Sequence, residues 1–273
     1  MKNFLILISP LYPILLLISL AAIIVSCVIS HDMPQPEDLD ARLQMEPVQR
    51  PTDMKRFTHK AGGMEYYIEP LYSYELYGLV LSRHTAGKTF FDRAHKRWGD
   101  YLNTADLCVV WGDTVFSGVY KEMEFSSGEW TCFYRPKSGG WHSVENRFSE
   151  NELSNNHMLI ANRQVAQTLN DIRIGDQIYF KGYLAEYGTA GRMIRSSSIT
   201  RTDRGNGACE TVFTTDIRIL KPAGRIWDYV FWAGLLGIVL IFILWVLTPV
   251  RKLFEVVEFQ EESLYVRQRR KRR

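Results

Sequence analysis

Residues that build metal sites or nucleophilic sites are scarce in this sequence. Its four cysteines and six histidines show no CxxC, HxxxH or HExxH spacing, so the common zinc-site patterns are absent. The GxSxG motif of many serine hydrolases is missing as well. The sequence therefore predicts no metal and no cofactor, and we lean towards a protein that is not an enzyme.

Charge is missing from two long stretches of the chain, although charged residues make up 23% of the whole. Residues 4–29 and 229–250 contain no Asp, Glu, Lys or Arg. A helix of this length crosses a hydrocarbon core of about 30 Å, because each residue adds about 1.5 Å. We therefore predict transmembrane helices over residues 4–29 and 228–250.

The flanking charges indicate how these helices are oriented. Lys2 precedes the first apolar stretch, and Arg251 and Lys252 follow the second; basic flanks stay in the cytoplasm. Residues 31–225 between them are nearly neutral, with 24 basic and 25 acidic side chains. We predict a two-pass protein of the bacterial inner (cytoplasmic) membrane, with both termini inside and the central domain outside the cytoplasm.

The end of the first apolar stretch has a second interpretation. The tetrad Ile24-Val25-Ser26-Cys27 resembles the lipobox of bacterial lipoproteins, and this resemblance implies that Cys27 is a candidate for lipidation. A cleaved signal usually has an apolar region of about 7–15 residues, and this stretch is longer. We favour an uncleaved anchor, with a cleaved or lipidated signal as the alternative.

The region between the apolar stretches divides into a linker and a folded domain. Residues 30–60 hold four prolines and many charges, which favours an extended spacer. Residues 61–220 contain short β-branched and aromatic segments bounded by Gly, Asp and Ser, a pattern typical of strands and turns. We predict a membrane-anchored α+β protein, mainly β, with strands at 74–83, 107–111, 115–125, 130–134, 177–187 and 211–220 and a helix at 162–172.

Two resemblances refine this fold class. The segment IRIGDQIYFKGYL (172–184) resembles the entry to the fourth strand of an OB-fold, in which a helix lies between the third and fourth strands of a five-stranded barrel. The resemblance implies an OB-like small β-barrel domain between the two transmembrane helices; another barrel or a sandwich is the alternative. The segments DLCVVWGD, LSNNHMLIAN and RTDRGNGACE are similar to an uncharacterised bacterial membrane-anchored family, which implies no activity and no catalytic residues.

Three cysteines fall in the part predicted outside the cytoplasm, where oxidising conditions permit disulfides. Cys108 and Cys132 lie in two predicted strands 24 residues apart, and a bridge between them is our first choice. The alternative is that all three cysteines are small buried side chains.

The loop at 196–210, SSSITRTDRGNGACE, has the most unusual local composition. Its glycines let backbone amides turn inwards, and its arginines can pair with an anion. Arg201, Asp203, Arg204 and Asn206 are therefore candidate ligand-binding residues. A long polar loop that binds nothing explains the same residues.

Three functions compete on these observations: binding, hydrolysis, and a role as an assembly or regulatory subunit whose helices pack on partner helices through Gly234 and Gly237. We predict a non-catalytic protein that binds a protein or an envelope component outside the cytoplasm. The alternative is a membrane-anchored extracytoplasmic hydrolase that uses Cys209 and His157 with Asp203 and Arg204. The run Asn-Asn-His at 155–157 is predicted to serve as turn and capping residues, with recognition of a ligand as the alternative.

The predicted partners are membrane lipids and a protein of the membrane or envelope. The C-terminal tail 251–273 has eight basic and four acidic side chains, which either attract anionic headgroups or mark the cytoplasmic side. The nearly neutral central domain lacks the positive charge that dominates nucleic-acid binding. We therefore do not expect nucleic acid as a partner.

Overall fold

The computed structural model describes residues 9–29, 33–86, 99–128, 130–203, 205 and 208–248. They belong to two compact units, one formed by residues 1–32 with 224–273 and the other by residues 33–223. The predictions for residues 4–8, for Arg204 and Asn206, and for the tail 251–273 lie outside the described residues.

The described part of the chain is mainly β. Its helices are α1 (Tyr12–Ile29), α2 (Gly112–Phe116), α3 (Arg163–Asp171) and α4 (Arg225–Leu247). Its strands are β1 (Val48–Pro51), β2 (Phe57–Ala61), β3 (Met64–Thr85), β4 (Asn103–Val110), β5 (Met123–Gly128), β6 (Thr131–Pro136), β7 (Leu153–Ile160), β8 (Gln177–Thr189), β9 (Arg192–Arg195) and β10 (Glu210–Lys221).

The first unit contains α1 and α4, which pack against each other. Residues Ser9–Val28 and Arg225–Leu247 form helices long and apolar enough to cross a membrane. Many of their large side chains are exposed, such as Leu17 at 66% and Phe242 at 61%. A surface of this kind is favourable in lipid and costly in water.

Small and hydroxyl-bearing residues fill the contact between α1 and α4. A methyl group added to Gly234 would lie 2.9 Å from the carbonyl oxygen of Ser19, and one added to Gly237 would lie 2.5 Å from Ser19 Oγ. Glycine therefore lets the two backbones approach closely. The hydroxyls of Tyr12 and Thr248 bond each other at 3.1 Å, so two polar groups of this apolar unit satisfy each other.

The second unit is built on one mixed sheet. Its pairings run from β3 to β4, β7, β10 and β8, and β8 pairs again with β3. β7 and β10 are parallel, whereas the other pairs in this order are antiparallel. All five strands contribute buried apolar side chains to one cluster.

Helix α3 connects β7 to β8 and packs on this cluster. Val165, Leu169 and Ile172 are each at most 2% exposed, and burial of such side chains contributes about 1.5–3 kcal/mol each. Asn162 Oδ1 accepts from the Val165 amide at 2.9 Å, which caps the helix. The predicted helix at 162–172 is confirmed.

Residues 33–60, predicted as a spacer, pack on the domain instead. β1 and β2 both pair with β3 in antiparallel register. Leu39 is 7% exposed and Leu43 is fully buried. Leu43 lies in a 3-10 turn over Ala41–Gln44. Prolines and charges dominate the composition here and hide these two apolar anchors.

The predicted strand at 115–125 is wrong over its first half. Gly112 and Gly118 adopt positive φ of 65° and 72°, conformations that break a strand and favour glycine. Between and after them lie α2 and a 3-10 turn over Val119–Glu122. The apolar residues of this segment are buried because they lie in a short helix and a 3-10 turn that pack on the domain. They do not alternate along a strand.

The hairpin of β5 and β6 is a separate two-stranded sheet, and a disulfide ties it to β4. The bond joins Cys108 to Cys132, the pair chosen from the sequence, with Cα atoms 5.8 Å apart. Ser82 Oγ and Ser127 Oγ add a contact of 2.7 Å between β3 and the hairpin. Cys27, the lipidation candidate, is exposed on α1.

Candidate functional site

Four polar side chains lie side by side on neighbouring strands. In the register of the sheet, His84 pairs with Asp106, Asp106 with His157, and His157 with Thr211. Paired residues share one face of a sheet, so positions far apart in the sequence form one row. Asp106, His157 and Thr211 are all 0% exposed.

The Asp106 carboxylate is the centre of this row. It accepts hydrogen bonds from His157 Nδ1 at 2.7 Å, Asn103 Nδ2 at 3.0 Å and the Trp130 amide at 3.1 Å. His84 Nδ1 lies 4.0 Å from Oδ2. A buried carboxylate is stable when donors of this kind surround it and costly without them.

His157 is held at both ring nitrogens. Arg195 Nη1 lies 2.9 Å from Nε2, and a guanidinium only donates, so Nε2 accepts and the proton sits on Nδ1. Burial lowers the pKa of His157, but Asp106 outweighs it and raises the pKa to about 9. Only a neutral imidazole accepts from Arg195 at Nε2, whereas the raised pKa favours the protonated imidazole at neutral pH. The contact with Arg195 is therefore lost when His157 takes its second proton.

Trp130, at the turn of the hairpin, covers the row. It is the one non-glycine residue in the described ranges with a positive φ, at 62°, a conformation that costs about 1–3 kcal/mol. Its amide donates to Asp106, its carbonyl accepts from Asn155 Nδ2 at 3.2 Å, and Arg195 lies 5.3 Å over its ring. These contacts and the disulfide two residues later hold the turn in place.

A cavity of about 520 Å³ lies between this hairpin, the start of β7 and the segment that follows β9. Its walls combine aromatic, basic and acidic side chains: Trp130, Tyr134, Glu150, Asn155, Arg195, Arg201, Asp203, Cys209 and Glu210. The volume falls in the range of about 300–1,000 Å³ that is typical of small-molecule sites.

One wall of the cavity is a buried ion pair. Arg201 Nη1 lies 2.5 Å from Glu210 Oε1, and its Nη2 donates to the Tyr74 hydroxyl at 2.9 Å. The guanidinium lies 5.2 Å over the Tyr74 ring and 5.5 Å over the Trp111 ring. Burial raises the pKa of Glu210 to about 7, although Arg201 opposes the shift.

Two acceptor atoms at the cavity lack a hydrogen-bond partner among the described residues. They are Asn155 Oδ1 and Glu210 Oε2, and both residues line the cavity. Asn155 is 7% exposed and Glu210 is 3% exposed. An unsatisfied buried acceptor costs about 1–3 kcal/mol. Both atoms are enclosed by their neighbours and have almost no surface exposed to the cavity.

Cys209 also reaches the cavity, beside His157. Its thiol lies 3.6 Å from the Trp130 carbonyl and 3.5 Å from Asn155 Nδ2, and its contact with the imidazole helps to raise the pKa of His157. Cys209, His157 and Asp106 therefore have the order of a cysteine triad. However, Arg195 occupies the nitrogen that would take the thiol proton.

The structure brings together part of the predicted site. Arg201 and Asp203 line the cavity, where Asp203 Oδ2 accepts from Ser198 Oγ at 2.6 Å. Arg204 and Asn206 lie outside the described residues.

The prediction that residues 155–157 act as turn and capping residues is wrong, because they lie within β7 and are buried. Their neighbours β4 and β10 supply Asp106 and Glu210, which the sequence analysis missed. Polar residues inside an otherwise apolar strand were the available signal.

Comparisons with protein-family models, curated proteins and solved structures found no match. In the parts of the chain that the structure describes, no group of three or more His, Cys, Asp or Glu side chains is placed to hold a metal ion.

Proposed function

We propose that the chain is a two-pass bacterial inner-membrane protein whose β domain lies outside the cytoplasm and binds an envelope component in the cavity beside Trp130. Binding rather than catalysis is the function that this geometry supports best. The observation that carries the proposal is a cavity of about 520 Å³ whose walls combine aromatic side chains with the largely buried polar residues Asn155 and Glu210.

The membrane placement is supported by the two apolar helices and their flanking charges. Ser9–Val28 and Arg225–Leu247 have mean hydropathies of 2.6 and 2.8. Basic residues precede the first and follow the second, which favours both termini inside. The oxidised pair Cys108–Cys132 agrees with a domain outside the cytoplasm.

An OB-type domain is supported by the order of strand pairing. The order β3, β4, β7, β10, β8 and back to β3, with β7 and β10 parallel and α3 between β7 and β8, matches an OB-type barrel of five strands. OB-folds bind ligands on their second and third strands and in the loop between their fourth and fifth strands. The corresponding parts here are β4, β7 and the segment between β8 and β10. Residues of β7 and of that segment line the cavity, among them Asn155, Arg201 and Cys209.

Reporter fusions test the orientation. Alkaline phosphatase, which is active only outside the cytoplasm, is fused after Ala223 or after Arg273 in separate proteins. We expect activity from the first fusion and none from the second. The reverse pattern would place the domain in the cytoplasm and contradict the proposal.

Thermal stabilisation tests the binding function. The full-length protein in detergent is heated with a dialysable extract of bacterial cell envelopes, because a ligand that binds the folded state raises Tm. We expect Tm to rise for the wild type and not for Glu210→Gln. An equal rise in both proteins would show that the cavity is not the binding site.

A cysteine hydrolase is the second candidate, favoured by the order Cys209, His157, Asp106. It requires Arg195 to leave His157 Nε2 so that the imidazole can take the thiol proton. Hydrolysis of p-nitrophenyl acetate by the full-length protein separates the candidates. Turnover that is lost in both Cys209→Ala and His157→Gln would favour the hydrolase; equal rates in all three proteins would exclude this reaction.

A further inference from the structure

We propose that the protonation state of His157 sets the position of Arg195. The neutral imidazole holds the guanidinium at the wall of the cavity, and the protonated imidazole releases it into the cavity. The free volume beside Trp130 therefore increases with pH. This inference goes beyond the proposed function, because it concerns the cavity itself and not the molecule that occupies it.

The contacts of His157 allow Arg195 to bind only one of its protonation states. Nδ1 donates to Asp106 at 2.7 Å, and Nε2 accepts from Arg195 Nη1 at 2.9 Å. A guanidinium has no acceptor atom and keeps its charge, so a proton on Nε2 leaves two donors and two positive charges facing each other. The bond from Nδ1 to Asp106 persists in both states, and Arg195 is the group that must move.

Titratable and charged groups face His157 from the neighbouring strands: Asp106 from β4, His84 from β3 beside Asp106, Arg195 from β9, Cys209 from the position before β10, and Tyr187 from β8 with its partner Asp100. Burial by itself lowers the pKa of His157, but Asp106 and Cys209 raise it to about 9, and Arg195 opposes them. Burial raises the pKa of the Tyr187 hydroxyl well above its ordinary value, so this group stays neutral. The imidazole can therefore take its second proton although it is 0% exposed.

The cavity offers the released guanidinium a favourable position. Carboxylates outnumber guanidiniums in its described lining, with Glu150, Asp203 and Glu210 against Arg195 and Arg201. Arg201 pairs with Glu210, whereas Glu150 and Asp203 accept from neutral hydroxyl groups. A carboxylate accepts several hydrogen bonds, so these two can keep the hydroxyl groups and still attract Arg195.

Trp130 lies where it can report this movement. The Arg195 guanidinium lies 5.3 Å over its ring, and both residues line the cavity. A cation over an aromatic ring interacts with its π system, so departure of the guanidinium changes the surroundings of the ring. The Arg195 side chain is partly exposed, and its rotatable bonds let it move without a change in the backbone.

Fluorine NMR on the full-length protein in dodecyl maltoside tests the inference. The protein is labelled with 5-fluorotryptophan, and the Trp130 resonance is identified by its absence in Trp130→Phe. Protonation of His157 is followed in parallel by the carbon-13 resonance of its Cε1. We expect both resonances to shift with the same midpoint, near the pKa of about 9. Different midpoints, or a Trp130 resonance that does not respond to pH, would overturn the inference.

Two variants separate the movement of Arg195 from other effects of pH. His157→Gln keeps an acceptor but cannot take a proton, so the shift of the Trp130 resonance should disappear. Arg195→Gln removes the guanidinium, so the shift should shrink at least twofold. The midpoint of His157 should rise in this variant, because Arg195 no longer opposes the proton. An unchanged Trp130 shift in Arg195→Gln overturns the inference, also where His157→Gln fails to fold.

Three further changes are the controls. Cys209→Ser and His84→Gln replace the other two titratable side chains beside the row with polar ones, and His142→Gln changes an exposed imidazole. All three should keep the pH-dependent shift of the Trp130 resonance, with a lower midpoint in Cys209→Ser because its thiol helps to raise the pKa of His157. A shift that is lost in Cys209→Ser or His84→Gln and kept in His157→Gln belongs to another group and overturns the inference.

Crystal structures of the full-length protein at about pH 7 and about pH 10, on either side of this midpoint, show the displacement directly. We expect the contact between Arg195 and His157 Nε2 at the higher pH. At the lower pH we expect the guanidinium inside the cavity, beside Glu150 or Asp203. A contact that persists at both pH values, or a guanidinium that leaves His157 for bulk solvent, overturns the inference. The envelope-extract experiment tests the binding function separately.

Discussion

The two units of this chain differ in which side chains they expose and which they bury. In the unit of α1 and α4, apolar side chains face outwards and small or hydroxyl-bearing residues meet inside, as at Gly234, Gly237 and Ser19. In the β domain, apolar side chains fill the interior, and Asp106, His157 and Glu210 are nonetheless buried. Burial therefore brings backbones together in the first unit and encloses apolar side chains with a few polar ones in the second.

In a lipid environment, close backbone approach stabilises a helix pair of this kind, because lipid is as apolar as its side chains and offers no hydrophobic drive. The β domain gains its stability from apolar burial and can therefore carry a costly polar cluster. That cluster is complete at Asp106, which has three close donors, and incomplete at Asn155 and Glu210.

The largest expected effect comes from removing the centre of the polar row. Asp106→Ala leaves His157, Asn103 and the Trp130 amide without their acceptor, and loss of one partner from a buried charged network costs about 3–5 kcal/mol. Thermal unfolding of the full-length protein, followed by near-ultraviolet circular dichroism, should show a large fall in Tm. Asp216→Ala removes an exposed pair with Arg218 and should cost at most about 1 kcal/mol; equal losses would refute the special role of the row.

The next largest effect concerns the disulfide that holds the hairpin over this row. Cys108→Ala/Cys132→Ala removes a bridge that closes a loop of 24 residues, and the chain-entropy model assigns about 3 kcal/mol to such a loop. We expect Tm of the double variant to fall below that of the oxidised wild type. Reductant should lower Tm of the wild type by about the same amount. The double variant should not respond to reductant, and a response would mean that another disulfide carries the effect.

A pH dependence of intermediate size is expected from Glu210. Its ordinary pKa of 4.5 is raised by burial to about 7 in the folded state, so the folded protein holds an extra proton between these values. Stability from this group is therefore present below about pH 4.5 and falls by roughly 1 kcal/mol per pH unit towards pH 7. The difference in Tm between the wild type and Glu210→Gln, measured from pH 5 to pH 8, reports it; a constant difference would contradict the raised pKa.

The smallest effect is expected in the helix pair. Gly234→Leu forces a side chain against Ser19 and Ile23, at a cost of about 1 kcal/mol, because the two helices can separate slightly. A crosslink detects this separation: Ser19→Cys/Gly237→Cys, with Cys27→Ser, should form a disulfide since the Cβ positions lie 3.5 Å apart.

Adding Gly234→Leu should lower the yield of that crosslink. The matched change Leu240→Ala, on an exposed position of α4, should leave the yield unaltered. A high yield in every protein would mean that glycine at 234 is not required for the close approach.

The parts of the fold that could be predicted are those in which apolar residues recur at the regular spacing of a strand or a helix. The strand at 177–187, the strand at 211–220 and the helix at 162–172 were found because their apolar spacing or capping residue is local. The segment at 115–125 was misassigned because positive-φ glycines at 112 and 118 fold its first half into a short helix and a 3-10 turn rather than a strand. The site was found in part: Arg201 and Asp203 stand out by local composition, whereas Asp106 and Glu210 are single carboxyls inside apolar strands.

The sequence by itself determined the two apolar helices, because hydropathy and length are properties of a continuous segment. It also determined the mainly β character of the region between them, since alternation is read within each strand. Only the tertiary structure decided that β4, β7 and β10 lie side by side, and so that Asp106, His157 and Thr211 form one buried row. Strand register joins residues about fifty positions apart, and no local pattern encodes which strand becomes the neighbour.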